Sequence, residues 1–165
     1  MSSRTAMSAS LSSPTSAARC RHFGLCGGCS QQDLPYERQL AQKAARVAGL
    51  LAPLGLSAPA AHGAPEIWHY RNKMEFSFID VYPPVAGGPS LRLGLKPKGR
   101  WYQVFDLEEC FLLSPEAGNL TRAVRAWAEA EKVPPYNNRK NEGLLRHLVV
   151  REAKNGTDRL VNLVT

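Results

Sequence analysis

The chain has 165 residues, 44% of them hydrophobic, and carries 21 Lys+Arg against 14 Asp+Glu, a formal net charge of +7. That length sets one domain, or a small one with an appendage, and no apolar run is long enough to span a bilayer, which excludes a helical membrane protein. The basic surplus points to a polyanionic partner, nucleic acid first. Residues 1–19 are rich in Ser, Thr and Ala, hold two arginines and no acid, and show neither an amphipathic stripe nor a signal-peptide core. They read as a disordered, flexible tail.

Cys20, Cys26 and Cys29 follow at once, and the chain's remaining cysteine, Cys110, stands alone far downstream. Three clustered thiols plus one remote thiol make a full four-cysteine ligand set of the kind that holds a [4Fe–4S] cluster. Structural zinc is the competing reading, since it also takes four cysteines. Zinc ribbons, however, usually present two Cys-x-x-Cys knuckles, and here there is one. Gly24, Gly27 and Gly28 let the loop wrap closely and bring backbone N–H groups toward cluster sulfurs. Two disulfides are disfavoured, because no secretory signal is apparent and a chain of this length can hold its core without them.

Asp33 is the expected N-cap of a first helix, with Pro35 and Glu37 in its first turn and Gly55 as its stop. Tyr36, Leu40, Ala44, Val47, Leu51 and Leu54 recur at helical spacing, while Tyr36, Gln39 and Lys43 share one side. The positive end of this helix is expected to face the thiolates. A loose Ala/Pro/Gly linker, Ser57–Pro65, leads to a strand over Tyr70–Phe78. In it Tyr70, Met74, Phe76 and Phe78 point one way and Arg71, Lys73, Glu75 and Ser77 the other.

Strands near Leu91–Leu95 and Trp101–Phe105 form the next expected hairpin, turned by Lys96–Arg100. Lys96, Lys98 and Arg100 then stand beside Trp101 and Tyr102, the mixture of cations and rings that binds single-stranded RNA; a solvated loop with core aromatics is the rival reading. Asp106, Glu108 and Glu109 precede Cys110, which is unfavourable beside an anionic cluster unless they point to solvent. A second helix is expected from Ser114-Pro115-Glu116, burying Leu120, Val124 and Trp127 and ending before Pro134. Leu144–Arg151 and Arg159–Thr165 complete the chain as a hairpin around Asn155-Gly156, with Arg139, Lys140, Arg146 and Arg151 adding charge.

Taken together, Cys20-x5-Cys26-Gly-Gly-Cys29, Gln32, Tyr36, Gln39-Leu40, Lys43, Tyr70–Phe76, Leu93–Leu95, Asp106–Cys110 and Glu142–Arg151 resemble, in this order, the RNA uracil-C5 methyltransferases. The nearest likeness is to the bacterial 23S rRNA (uracil-5-)-methyltransferase branch that holds a [4Fe–4S] cluster. The resemblance implies Cys20, Cys26, Cys29 and Cys110 as cluster ligands, and the family's fourth cysteine likewise follows acidic residues. It implies an α+β fold in which a cysteine-rich segment with its helix (20–56) packs on an antiparallel-sheet central region (66–165). In that family a Rossmann-like domain binds S-adenosylmethionine and holds the nucleophilic cysteine and the base.

No Gly-rich cofactor loop and no fifth cysteine occur here. The expectation is therefore a truncated portion of such an enzyme, inactive alone, in which the cluster is structural. Its RNA contacts are expected at Arg71, Lys73, Lys96, Lys98, Arg100, Trp101 and Arg146, on a cytoplasmic monomer with ribosomal 23S RNA as partner and no membrane association. The alternative is a stand-alone RNA-binding module with structural zinc. A ferredoxin-like electron carrier is disfavoured, because its cysteines would be denser.

Overall fold

The structure, a computed structural model, describes residues 18–165, so the expected tail lies almost wholly outside the described residues. In chain order it comprises α1 (Tyr36–Leu51), a 3-10 turn (Ala52–Leu54), β1 (Lys73–Asp80), β2 (Leu91–Leu95), β3 (Phe105–Asp106), α2 (Pro115–Ala130), β4 (His147–Glu152) and β5 (Arg159–Val164). The strands form one sheet in the order β3-β2-β1-β4-β5, and every neighbouring pair is antiparallel. The architecture is α+β, as the resemblance implied.

The sheet's inner face is written in the period-two pattern of β1. Met74, Phe76 and Phe78 are buried, and the register sets them beside Val150, Leu148 and Leu93. Leu91, Leu107, Leu112, Leu113 and Leu145 join this core, each large side chain contributing about 1.5–3 kcal/mol by leaving water. Tyr70 was expected on the same face but precedes the strand and is 57% exposed.

α2 lies over this core and starts where expected, with the Ser114 hydroxyl accepting from the Ala117 N–H at 3.3 Å. Its buried positions are Ala117, Thr121 and Ala128, with Leu120 and Val124 packed partly against the core. Trp127, expected inside, is 44% exposed: small residues at helical spacing form the contact stripe, and the indole lies beside it.

Two expectations about the elements fail for backbone reasons. α1 is preceded by extended Pro35, not capped by Asp33; a proline disfavours helical backbone at the residue before it, so Leu34 cannot join the helix. α1 also buries none of its residues, and Leu50 and Leu54 are 67% and 69% exposed. Its apolar stripe is therefore not packed on the sheet. The third strand is shorter than expected because residues 97–103 fold into successive turns, with Arg100 N–H donating to Pro97 O and Gln103 N–H to Arg100 O, each at 3.1 Å.

Candidate functional site

The loop from Cys20 to Cys29 is a run of turns. Phe23 N–H donates to Cys20 O at 3.0 Å and Cys26 N–H to His22 O at 2.8 Å. Gly24 takes a φ of +86°, a left-handed conformation natural to glycine. Two segments flanking β3 hold this loop. On one side Cys26 forms an isolated antiparallel bridge with Pro97, and Lys98 N–H donates to Leu25 O at 2.8 Å. On the other, Glu108 N–H donates to Nε2 of buried His22 at 3.2 Å, and the imidazole lies 5.0 Å from the Phe105 ring.

Cys29 and Cys110 stand within electrostatic reach of both Cys20 and Cys26. All four are free and half-buried. Burial pushes the Cys20 thiol up; the His22 N–H opposes this, and Glu109, Cys110 and Cys29 add to it. Burial likewise raises Cys26, opposed by the Gly28 N–H and by Arg71 and reinforced by Cys29 and Cys110. The Gly28 N–H stands 3.3 Å from Cys26 Sγ, the kind of backbone contact expected of a loop built around sulfur. Cys110 Sγ lies 3.9 Å from Met74 Sδ, at the edge of the core. Among the described residues, no group of three or more His, Cys, Asp or Glu stands in an arrangement that could hold a metal ion.

The acids before Cys110 do not simply point to solvent. Asp106 pairs with Arg125 at 2.9 Å and accepts from Leu93 N–H at 3.2 Å. Glu108 pairs with the Arg21 guanidinium, and Glu109 accepts from Arg21 N–H at 2.6 Å. Arginine thus offsets much of the negative charge that stood against an anionic centre, and Arg21 ties the Cys20 and Cys110 segments together.

The hairpin loop beside Cys26 carries the expected cations in the open. Lys96, Lys98 and Arg100 are exposed, Trp101 is 77% exposed, and the Trp101 and Tyr102 rings meet edge-on at 5.8 Å. The rival reading of core aromatics is thereby overturned. The other expected RNA contacts divide. Lys73 is exposed at the start of β1 with Glu75 at 3.8 Å. Arg71 is half-buried and its charge acts on Cys26, while the Arg146 guanidinium lies 3.3 Å over the Tyr136 ring. No helix among the described residues is long and apolar enough to cross a membrane.

No family model matches the chain. It is 37% identical over 151 residues to a protein of Clostridium tetani named as an uncharacterized RNA methyltransferase. It is 36% identical over 148 residues to the tRNA (uracil(54)-C(5))-methyltransferase of Pyrococcus horikoshii. Each match takes in 90% of this chain, whereas the chain spans about a third of those relatives, 32% and 33%. Among solved structures it matches the Pyrococcus abyssi tRNA (uracil-54, C5)-methyltransferase, crystallised with S-adenosyl-L-homocysteine. There the TM-score is 0.63 and the identity 27%, over 90% of this chain and 32% of that one. Sequence and fold similarity to RNA (uracil-C5) methyltransferases therefore runs through both the cysteine loop and the sheet.

Proposed function

We propose that residues 20–165 form the iron–sulfur and RNA-docking portion of an S-adenosylmethionine-dependent RNA (uracil-C5) methyltransferase. The observation that carries the reading is the gathering of Cys20, Cys26, Cys29 and Cys110 by two independent attachments of one loop, in a chain similar over nine-tenths of its length to such enzymes. The cysteine spacing, with one Cys-x-x-Cys pair and two outlying cysteines, favours a cubane over a single ion. Donors around a single tetrahedral zinc lie within about 4 Å of one another. A [4Fe–4S] cluster takes one thiolate at each of four separate irons, so its ligands are grouped without meeting at a point. The Gly28 N–H and the Arg71 charge both favour negative sulfur there.

Bound to these thiols, the cluster supplies a covalent brace between the loop and the segment leaving β3. The chain's own residues hold that brace in place and present Lys96, Lys98, Arg100 and Trp101 to RNA. Methyl transfer needs a thiolate to activate uracil at C6, and the four cysteines of this sequence are committed to the brace. That chemistry is assigned outside these residues. The Pyrococcus relatives are named for uracil 54 of tRNA, whereas the cysteine motif resembles the 23S rRNA branch, so both RNAs belong in the test.

Anaerobic isolation is expected to give about four iron and four sulfide per chain with a broad visible absorption. Zinc overturns the cluster and leaves the zinc-bearing RNA module; no metal at all overturns both. Binding to tRNA and to a 23S fragment is expected to weaken steeply with salt, with Lys96→Ala lowering the slope by about one contact. A salt-independent affinity, or none, removes RNA from the reading.

A further inference from the structure

A cleft of about 550 Å³ has Gly28 and Cys29 in its wall and none of the hairpin residues 96–102. It lies within the ~300–1,000 Å³ range of small-ligand sites. Tyr36, Gln39 and Lys43, the one-sided set on α1 that the cluster does not use, all line it. Trp68 and Tyr70 line it too, and the Arg19 guanidinium lies 5.3 Å from the Trp68 ring centre and 4.1 Å from that of Phe111.

Each member has a legible task. Tyr36 and Gln39 build the wall: the Tyr36 hydroxyl accepts from Ala64 N–H at 2.7 Å, and Gln39 Nε2 donates to Gln31 O and Leu34 O at 2.8 and 2.9 Å. Tyr70 is 57% exposed, an open ring at the mouth. Lys43 is exposed and forms no ion pair among the described residues. An open ring, Tyr70, with an unpaired cation, Lys43, on the same cleft suits a flat, anionic ligand: an unpaired base carried on its phosphate.

We infer that this cleft takes one unstacked nucleobase of the RNA strand, the base stacking on Tyr70 and Trp68 and its phosphate meeting Lys43. The inference rests on the RNA-docking reading above and gives it a path. Cys26 is bridged to the hairpin at Pro97 while Cys29 lines the cleft, and those two loop positions are at most about 10 Å apart along the chain. A strand crossing the cysteine loop would lay its backbone on Lys96–Arg100 and seat a base in the cleft beside Cys29.

The test uses the full chain, isolated anaerobically, and a fluorescein-labelled single-stranded RNA of about twelve nucleotides. Tyr70→Ala, at an exposed position where folding is not at stake, is expected to weaken binding about fivefold or more. Lys43→Ala is expected to lower the salt slope by about one. Replacing the seated nucleotide by an abasic one is expected to weaken the unaltered chain but not Tyr70→Ala. Unchanged affinity in both variants, with Lys96→Ala still weakened, overturns the cleft and leaves the hairpin surface standing. No RNA binding by the unaltered chain overturns both.

Discussion

Glu152 is the carboxylate most constrained by its neighbours, and it lies away from the cysteines. It is 7% exposed at the end of β4 and accepts from the Ser114 hydroxyl, from Ser114 N–H at 3.1 Å and from Arg159 Nε at 3.1 Å, with Lys154 Nζ at 3.4 Å. Burial alone would raise its pKa, but these donors and cations outweigh it and hold the carboxyl at about 2, against an ordinary 4.5. A depressed folded-state pKa means stability that is complete above pH 4.5 and lost as pH falls toward 2. Glu152→Gln keeps the shape but leaves Lys154 without its carboxylate and Arg159 with Glu116 alone, and is expected to cost about 2 kcal/mol at pH 7, since both cations are partly solvated. Urea unfolding across pH 7 to 3 checks this. The variant should show a smaller loss on acidification than the parent, and parallel curves would mean that other carboxylates carry the acid sensitivity.

The link between β2 and β3 is the element on which the candidate centre depends. A Cβ on Gly94 would fall 1.9 Å from Phe105 O and 2.9 Å from Leu107 N, backbone atoms that cannot swing aside. Gly94→Ala must therefore push β3 off the sheet, at an expected cost of about 3 kcal/mol, and carry the Cys110 segment with it. Iron retained per chain should fall along with stability. Full iron in a destabilised Gly94→Ala chain would show that β3 does not place Cys110.

Much of this level was legible in the sequence. The alternation Met74-x-Phe76-x-Phe78 marks one buried face, and Asn155-Gly156 between two β-rich runs marks the β4–β5 hairpin. The cysteine spacing marks a candidate ligand set. What could not be read was partnership across distance. The stripe on α1 says which side is apolar, not that the fold leaves every residue of it short of full burial. The His22 to Glu108 hydrogen bond joins residues 86 positions apart, and only the folded sheet brings them together. Arg71 illustrates the same limit: its place in the strand pattern suggested an outward cation, yet its charge acts on a thiol.

At the scale of the whole molecule, apolar burial is unevenly shared. The core cluster is drawn from the sheet, from α2 and from the segments between them, whereas α1 buries nothing. A helix of 16 residues is marginal on its own, and the polar anchors that hold this one, Gln39 to Gln31 and Leu34 and Tyr36 to Ala64, lie at its N-terminal end. The sheet with α2 should therefore hold together through its own core, while residues 20–56 depend on what the thiols bind, because metal affinity acts as folding free energy where no preformed site exists. Hydrogen exchange separates the two units. Loading with iron and sulfide is expected to slow exchange in residues 20–56 and 105–113 by about tenfold or more, and to leave β1 and β4 as they were. If stripping the metal instead releases β1 and β4 together with α1, the centre is part of the core, and the thiols brace the whole sheet rather than one loop against it.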